Sequence, residues 1–419
     1  MATPAPIAPE EALALVRISA RLLFANGQTT RRCIDSVVHL GACLGLTVEI
    51  AARWGELDLR VSGPSLPARL EVIAVTPAGV EMHKVTETLD VMDKVCLGTL
   101  APAQARAALD AIDHLKPISL LRFAAFAGAG AAALAVIFGA VDPVTLLLIF
   151  ASAAGGACVR RWLSHVAPNP LPQPLAASFL AGLVAAAASH IFPASVVFVI
   201  ALCPCMILVP GPHLLNSALD LARMRLPLGG ARLGYAALLI LMICIGLLAG
   251  LSLGAASLPL SGGAAVPLAI DVIAAGIAVA AFGTYFSMPW RMLPFPMAVG
   301  MAGHAVHWAT LAVGAGLTAA TFATCFLVGA VVTPLANRMR LPFAAVAFAS
   351  VVSLMPGSFL FRMSDALIGM GAAAPAAQPA LLIAAIEDAT TAVAVLVAMA
   401  LGLILPKVIL ERLFPPTLP

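Results

Sequence analysis

Polar and apolar positions follow two regimes along the chain. Up to about residue 116, apolar residues recur at helical or alternating spacing between charged ones; beyond it they run on in long stretches separated by short polar loops. In the first regime, Ala12, Leu13, Leu15, Val16, Ile18, Leu22 and Leu23 form one stripe and predict an amphipathic helix over 11–25, broken at Asn26-Gly27. Thr29 or Thr30 caps a second helix over 31–45 that ends at Gly45. Runs at 47–52, 57–62 and 71–76 read as strands, with Pro64 and Pro67 in the turn between the last two. Helices over 82–99 and 102–115 complete a small α+β unit.

A helix that crosses a bilayer needs ~20 mainly apolar residues. Ten stretches are candidates: 120–140, 143–159, 174–191, 193–209, 232–255, 265–287, 296–313, 317–335, 342–355 and 380–405. The fold class expected is therefore a polytopic α-helical membrane protein of ten transmembrane helices behind a cytoplasmic α+β domain. Its divisions are 1–116, 117–260 and 261–419.

Composition agrees. The 419 residues are 62% apolar and 10% charged, with a mean hydropathy of +1.04, whereas soluble chains are about one quarter charged. Residues 1–122 hold 12 Lys/Arg and 13 Asp/Glu, and residues 123–419 hold 11 and 7. The net charge of +3 comes without any Lys/Arg cluster of the size phosphate binding uses, which excludes a nucleic-acid partner. Met1 to Pro9 has neither a basic residue nor an apolar core, so no signal peptide is expected.

Loop charges set the orientation, because cytoplasmic loops are rich in Lys and Arg. Arg160, Arg161, Arg223, Arg225, Arg232, Arg291, Arg338, Arg340, Lys407 and Arg412 fall in alternate loops and the tail; the intervening loops, the last of them at 356–379, hold only Arg362. Both termini are expected in the cytoplasm, and the bacterial inner membrane is the expected location.

An internal repeat fits the same count. Pro210-Gly211 follows the fourth stretch and leads into Asn216, Ser217 and Asp220; Pro356-Gly357 follows the ninth, 146 residues on, and leads into Arg362, Ser364 and Asp365. Five spans per copy is odd, so the second copy enters the membrane inverted. Inverted repeats with broken helices are the architecture of secondary transporters, which bind substrate near the midplane. Pro removes a backbone donor and Gly permits tight turns, so these two segments and their polar residues are the candidate substrate-binding sites. A surface helix cap reads the same way.

Ionisable residues inside spans are costly and tend to be functional. Asp271, Glu387 and Asp388 are candidates for proton coupling, since buried carboxylates titrate closer to neutrality. Glu387 and Asp388 point about 100° apart and need not act together. All three also read as polar residues near their helix starts. His304 and His307, three residues apart on one face, are a candidate proton relay or a helix-packing pair. Motifs of hydrolases, metalloproteases and phosphate-binding loops are absent, so no catalytic residue is named. The eight cysteines lack zinc or haem spacing and read as buried thiols; Cys203-Pro204-Cys205 is assigned no metal, and no cofactor is expected.

The chain resembles the threonine/serine exporter family, in which a cytoplasmic domain precedes ten spans. The residues that carry the resemblance are Leu22-Leu23-Phe24-Ala25-Asn26-Gly27-Gln28-Thr29-Thr30-Arg31, a Gly-x-Thr turn before the second helix. Val209-Pro210-Gly211 with Asn216, Ser217 and Asp220 follows, and then the basic loop and Arg232-Leu233. Family members often have an acidic residue where this chain has Asn26. The resemblance implies export of threonine and serine by proton antiport, with the substrate, protons and the lipid bilayer as partners; two-chain relatives imply dicarboxylate export as the alternative. The residues by themselves reach a proton-coupled transporter for a small polar solute. A channel and a membrane-anchored enzyme or sensor stay open beside it, as does a homo-oligomer.

Overall fold

The computed structural model describes residues 8–414 except 65, 255 and 257–265. The loop read at 256–264 and the division at 260/261 therefore fall almost wholly outside the described residues. Helix α1 (Pro9–Ala25) has proline in its first turn and Glu10 and Glu11 at the positive end of its dipole. Helix α2 (Thr30–Cys43) differs from expectation at its start. Thr29 occupies the N-cap position without a side-chain cap, and the Thr30 hydroxyl instead donates to Asp220 at 3.0 Å.

Strands β1 (Thr47–Arg53), β2 (Gly55–Gly63) and β3 (Leu66–Val75) form an antiparallel meander in that order. Arg53 pairs with Glu56 across a two-residue turn, in which Gly55 takes φ +93°, a value favourable only without a Cβ. Pro67 lies inside β3 rather than in the turn. It is tolerated because β3 is an edge strand, where a missing N–H need not break the ladder. Leu57, Leu59 and Val61 alternate onto one face and pack with Val48, Ile73 and Val75 against α1 and α2. Helices α3 (Met82–Cys96) and α4 (Pro102–Asp113) close a second small core with Leu15, Ile18 and Leu22 of α1.

The remainder is helical: α5 (Leu120–Ile137), α6 (Pro143–Val166), α7 (Pro172–Ala188), α8 (Ala194–Met206), α9 (Gly211–Leu221), α10 (Leu226–Leu253), α11 (Leu268–Tyr285), α12 (Pro294–Ala312), α13 (Leu317–Met339), α14 (Phe343–Val351), α15 (Gly357–Ala372) and α16 (Gln378–Leu413). Each of the ten apolar stretches falls on helix. Among the described residues six helices are long and apolar enough to cross a membrane, and eight spans result if α8–α9 and α14–α15 each count as one. The loop expected at 356–379 is corrected: most of it is α15. Pro210 and Pro356 stand at the N-caps of α9 and α15, where a residue without a free N–H leaves no donor unmade, so the chain turns and resumes helix at once.

Large apolar side chains such as Leu147, Ile273 and Val397 face outward, while small residues line the helix contacts. That inversion of a soluble protein follows from a solvent as apolar as leucine, in which close backbone packing drives helix association. The protein is a membrane protein. A Cβ on Gly250 would lie 2.3 Å from the Phe179 carbonyl oxygen, so α10 meets α7 backbone to backbone. Gly402 does the same for α16 against α13, 2.9 Å from the Phe322 carbonyl oxygen.

Gly250→Leu and Gly402→Leu should each destabilise the bundle by about 1–3 kcal/mol or more through overpacking. Gly230→Ala, where a Cβ meets nothing within 4 Å, should stay near the wild type. Thermal unfolding in detergent checks all three.

Candidate functional site

Two bent helix pairs organise the membrane part. Helix α8 turns by 60° into α9 after Met206, and α14 turns by 64° into α15 after Leu354. The bends cross one another. A Cβ on Gly211 would stand 1.7 Å from the Phe348 ring of α14, so only glycine lets the first break seat there; Gly357 of the second break faces the Met206 side chain. Phe282 and Phe286 of the α11 end pack on Phe348 with ring centroids 6.1 and 6.4 Å away. Aromatic rings thus pack around the crossing.

A cavity of about 390 Å³ opens beside the first break. Arg160, Arg161, Pro210, His213, Tyr235 and Tyr285 line it, and the leading α+β unit adds Val80 and Glu81 as a wall. The Arg160 guanidinium lies 4.9 Å from the Tyr285 ring, and its Nε is buried without a hydrogen bond. Glu81 has a buried carboxylate oxygen without a hydrogen bond, 3.6 Å from His83 Nε2 and 3.9 Å from Lys84 Nζ. Burial lowers the His83 pKa and the Glu81 charge opposes that, so the ring stays mostly neutral at pH 7. A cation and an anion with unmet hydrogen-bonding capacity thus share one cavity.

A second cavity of about 400 Å³ lies at the other end of α5 and α11, beside the second break. Asp271, His304, His307, Ser353, Pro356 and Arg362 line it. His304 joins two helices: its Nδ1 stands 2.9 Å from Asp271 Oδ2, and its Nε2 bonds Ser353 Oγ at the end of the turn after α14. Both ring nitrogens are engaged in either protonation state, because the serine hydroxyl donates to a neutral ring and accepts from a charged one. Arg362 of α15 forks onto Asp388 of α16, using Nε and Nη2. The ionisable residues of this second site, Asp271, His304, His307 and Arg362, with Pro356, are ones singled out from the sequence; the apolar lining is not.

The other candidates are placed elsewhere. Pro210 borders the first cavity and Gly211 the crossing, but Asn216, Ser217 and Asp220 are buried behind them. Asn216 Nδ2 donates to the Gly27 carbonyl oxygen at 3.4 Å, Ser217 Oγ to that of Gly229 at 2.7 Å, and Asp220 pairs with Arg225 and Arg232, each at 3.3 Å. The Asn216–Gly27 and Thr30–Asp220 bonds seat the α+β unit on α9, while the Ser217 and arginine contacts tie α9 to the start of α10. Glu387 is exposed on α16 while Asp388, about 100° round the helix, is buried. The Ser364 hydroxyl donates to Leu360 in its own helix, and Asp365 is half-buried on α15. His307 stands beside His304, ring centroids 6.4 Å apart.

Residues missed in the sequence are Arg160, Arg161, Tyr285, Glu81 and Ser353. The arginines stood out only as loop charges, and Ser353 carried no signal beyond its position before Pro356-Gly357. Cys43 and Cys96 of the leading unit are joined as a disulfide, which corrects the reading of all eight cysteines as free thiols.

A threonine/serine exporter family profile matches residues 14–254, and a second one, also for a threonine/serine exporter, matches residues 271–409. The chain belongs to the threonine/serine exporter family. Compared with curated proteins and with solved structures, it matches none. As a transporter of this exporter type, the protein moves a small molecule across a bilayer. The matches span both bent pairs and the Asn26-Gly27 turn.

Removing the Asp220 carboxylate strands Arg232, which is 2% exposed. Asp220→Ala should lower stability by about 3–5 kcal/mol in thermal unfolding, and Thr30→Val, which removes one hydrogen bond to the carboxylate, by about 1.5–3 kcal/mol.

Proposed function

We propose that the protein exports threonine and serine from the cytoplasm in exchange for protons, by alternating access between the two cavities. The observation that carries this reading is the pair of similar cavities, one at each helix break and at opposite ends of α5 and α11. A backbone freed of its helix at membrane depth is tolerated where it lines a cavity, and there it can bind a polar solute.

Packing supports ten segments in two inverted sets of five. In one set α5 packs on α6, α6 on α7, α7 on α10 and α9 on α10; in the other α11 packs on α12, α12 on α13, α13 on α16 and α15 on α16. Helices α7 and α12 are then the shorter spans, and the divisions 1–116, 117–260 and 261–419 follow. Arg160, Arg161, Arg223, Arg225, Arg338 and Arg340 gather at the end that holds the α+β unit. The positive-inside rule makes that end cytoplasmic, in the inner membrane of a bacterium.

A zwitterion fits the first cavity: Arg160 takes the carboxylate, Glu81 the ammonium group, and His213 or Gln173 the hydroxyl. Glu81 repels a second carboxylate, which favours amino acids over dicarboxylates. Asp271, His304 and Ser353 carry the proton in the second cavity, with Arg362 held for the departing carboxylate by Asp388. Separation of Gly211 from Phe348 opens the path between the two.

Proteoliposomes holding the purified protein test this with labelled threonine, serine and succinate, with and without a pH gradient. Gradient-dependent movement of the two amino acids is expected; movement of succinate alone overturns the substrate, and no movement overturns the transporter reading. Arg160→Gln should raise the KM for threonine by about tenfold to a hundredfold, the weight of ~1.5–3 kcal/mol for a charged hydrogen bond. Asp271→Asn should retain threonine–threonine exchange but lose the response to the gradient.

A further inference from the structure

The leading α+β unit holds a cluster that the transport reading does not use. His39 and Cys43 lie four residues apart on one face of α2, at its end away from Thr30, and Cys96 is the last residue of α3. The Cα atoms of the two cysteines are 5.3 Å apart, and His39 Nε2 is 3.6 Å from Cys43 Sγ. All three ligating atoms lie within 4.8 Å of one another. Cys43 is exposed, while His39 and Cys96 are half-buried.

We propose that His39, Cys43 and Cys96, with the two cysteines reduced, bind one soft divalent cation of the zinc type. Two thiolates and an imidazole are the donors that zinc prefers, and they fill three of its four tetrahedral positions. Exposure of Cys43 leaves the fourth to water, so the cation exchanges with solvent. The chemistry balances: two equivalents of a glutathione-type thiol join as their own disulfide and so supply the two electrons and two protons that open the Cys43–Cys96 bond, and binding then releases one proton from each cysteine thiol. The cytoplasm keeps thiols reduced, and that placement of the unit is the one element taken from the proposed orientation. Cys33 shows the contrast. It is fully buried, burial pushes its thiol up to about 12, and it offers no ligand.

The site sits on the two helices that dock the unit. Helix α2 reaches the bundle through Thr30 on Asp220 and Arg32 on Asn337, and α3 through Asp93 on Arg340. A cation joining the C-terminal ends of the two helices, three residues on from Asp93 in α3, ties these contacts into one rigid face.

The test is cobalt titration of the full chain, purified in detergent with a phosphine reductant. One Co²⁺ per chain with a thiolate-to-cobalt charge-transfer band, displaced by Zn²⁺, is expected. Cys43→Ser and Cys96→Ser should each abolish the band, and His39→Ala should weaken binding at least tenfold in protein that remains monodisperse. Absence of the band in the reduced wild type overturns the proposal. So does a band that survives the double substitution, which places the metal on other thiols. Alkylation of intact cells before lysis gives the third arm: both cysteines alkylated supports the site, and peptides still linked through Cys43 and Cys96 overturn it. None of these readouts involves transport, so the proteoliposome experiment stands or falls separately.

Discussion

Lipid offers no hydrogen bonds, so a peptide group that leaves a helix inside a bilayer must find its partner within the protein. This constraint decides where the membrane part can be irregular. The breaks at Pro210-Gly211 and Pro356-Gly357 are both packed into the centre, the first against Phe348 and the second against Met206. Straight, apolar helices remain around them with leucine, isoleucine and valine turned outward. The cavities lie at the breaks because those are the places where backbone polarity is available without a helix to consume it.

Charge is distributed by the same logic. Arg232, nearly without exposure, is compensated by Asp220, which also accepts from Thr30 and pairs with Arg225. One carboxylate thus serves the start of α10, the end of α9 and the start of α2. Arg362 and Asp388 neutralise each other between α15 and α16. Glu387 has no ion pair among the described residues and faces outward, where water or headgroups can solvate it. The carboxylates kept inside are those that another helix answers.

Much of this was legible in the chain itself. Long apolar runs located the six helices that are long and apolar enough to cross a membrane, but not α15, which read as a loop. Pro-Gly at an offset of 146 residues marked both bends. What spacing could not show was which polar groups share a space. Asn216, Ser217 and Asp220 looked like a substrate cluster because they follow the break, yet their helix turns them toward the Asn26-Gly27 turn and the start of α10. Asp271, His304 and Ser353 come from three separate elements, so their hydrogen-bonded chain has no local signature. The same holds for Cys43 and Cys96, 53 residues apart and brought together by the packing of α2 on α3. Pro67 was misplaced because a strand's position in its sheet, which decides whether proline is tolerated, is a tertiary property.

The glycine contacts of α7 with α10 and of α13 with α16 have a mechanical consequence. Where main chain touches main chain, no side chain lies between to change rotamer, and sliding by a fraction of an ångström meets hard repulsion. Each of these pairs therefore behaves as a single beam. Whatever flexes in this molecule flexes between two stiff struts, and the joints are the bends at residues 206–211 and 354–357, where the helical hydrogen-bond ladder is already interrupted.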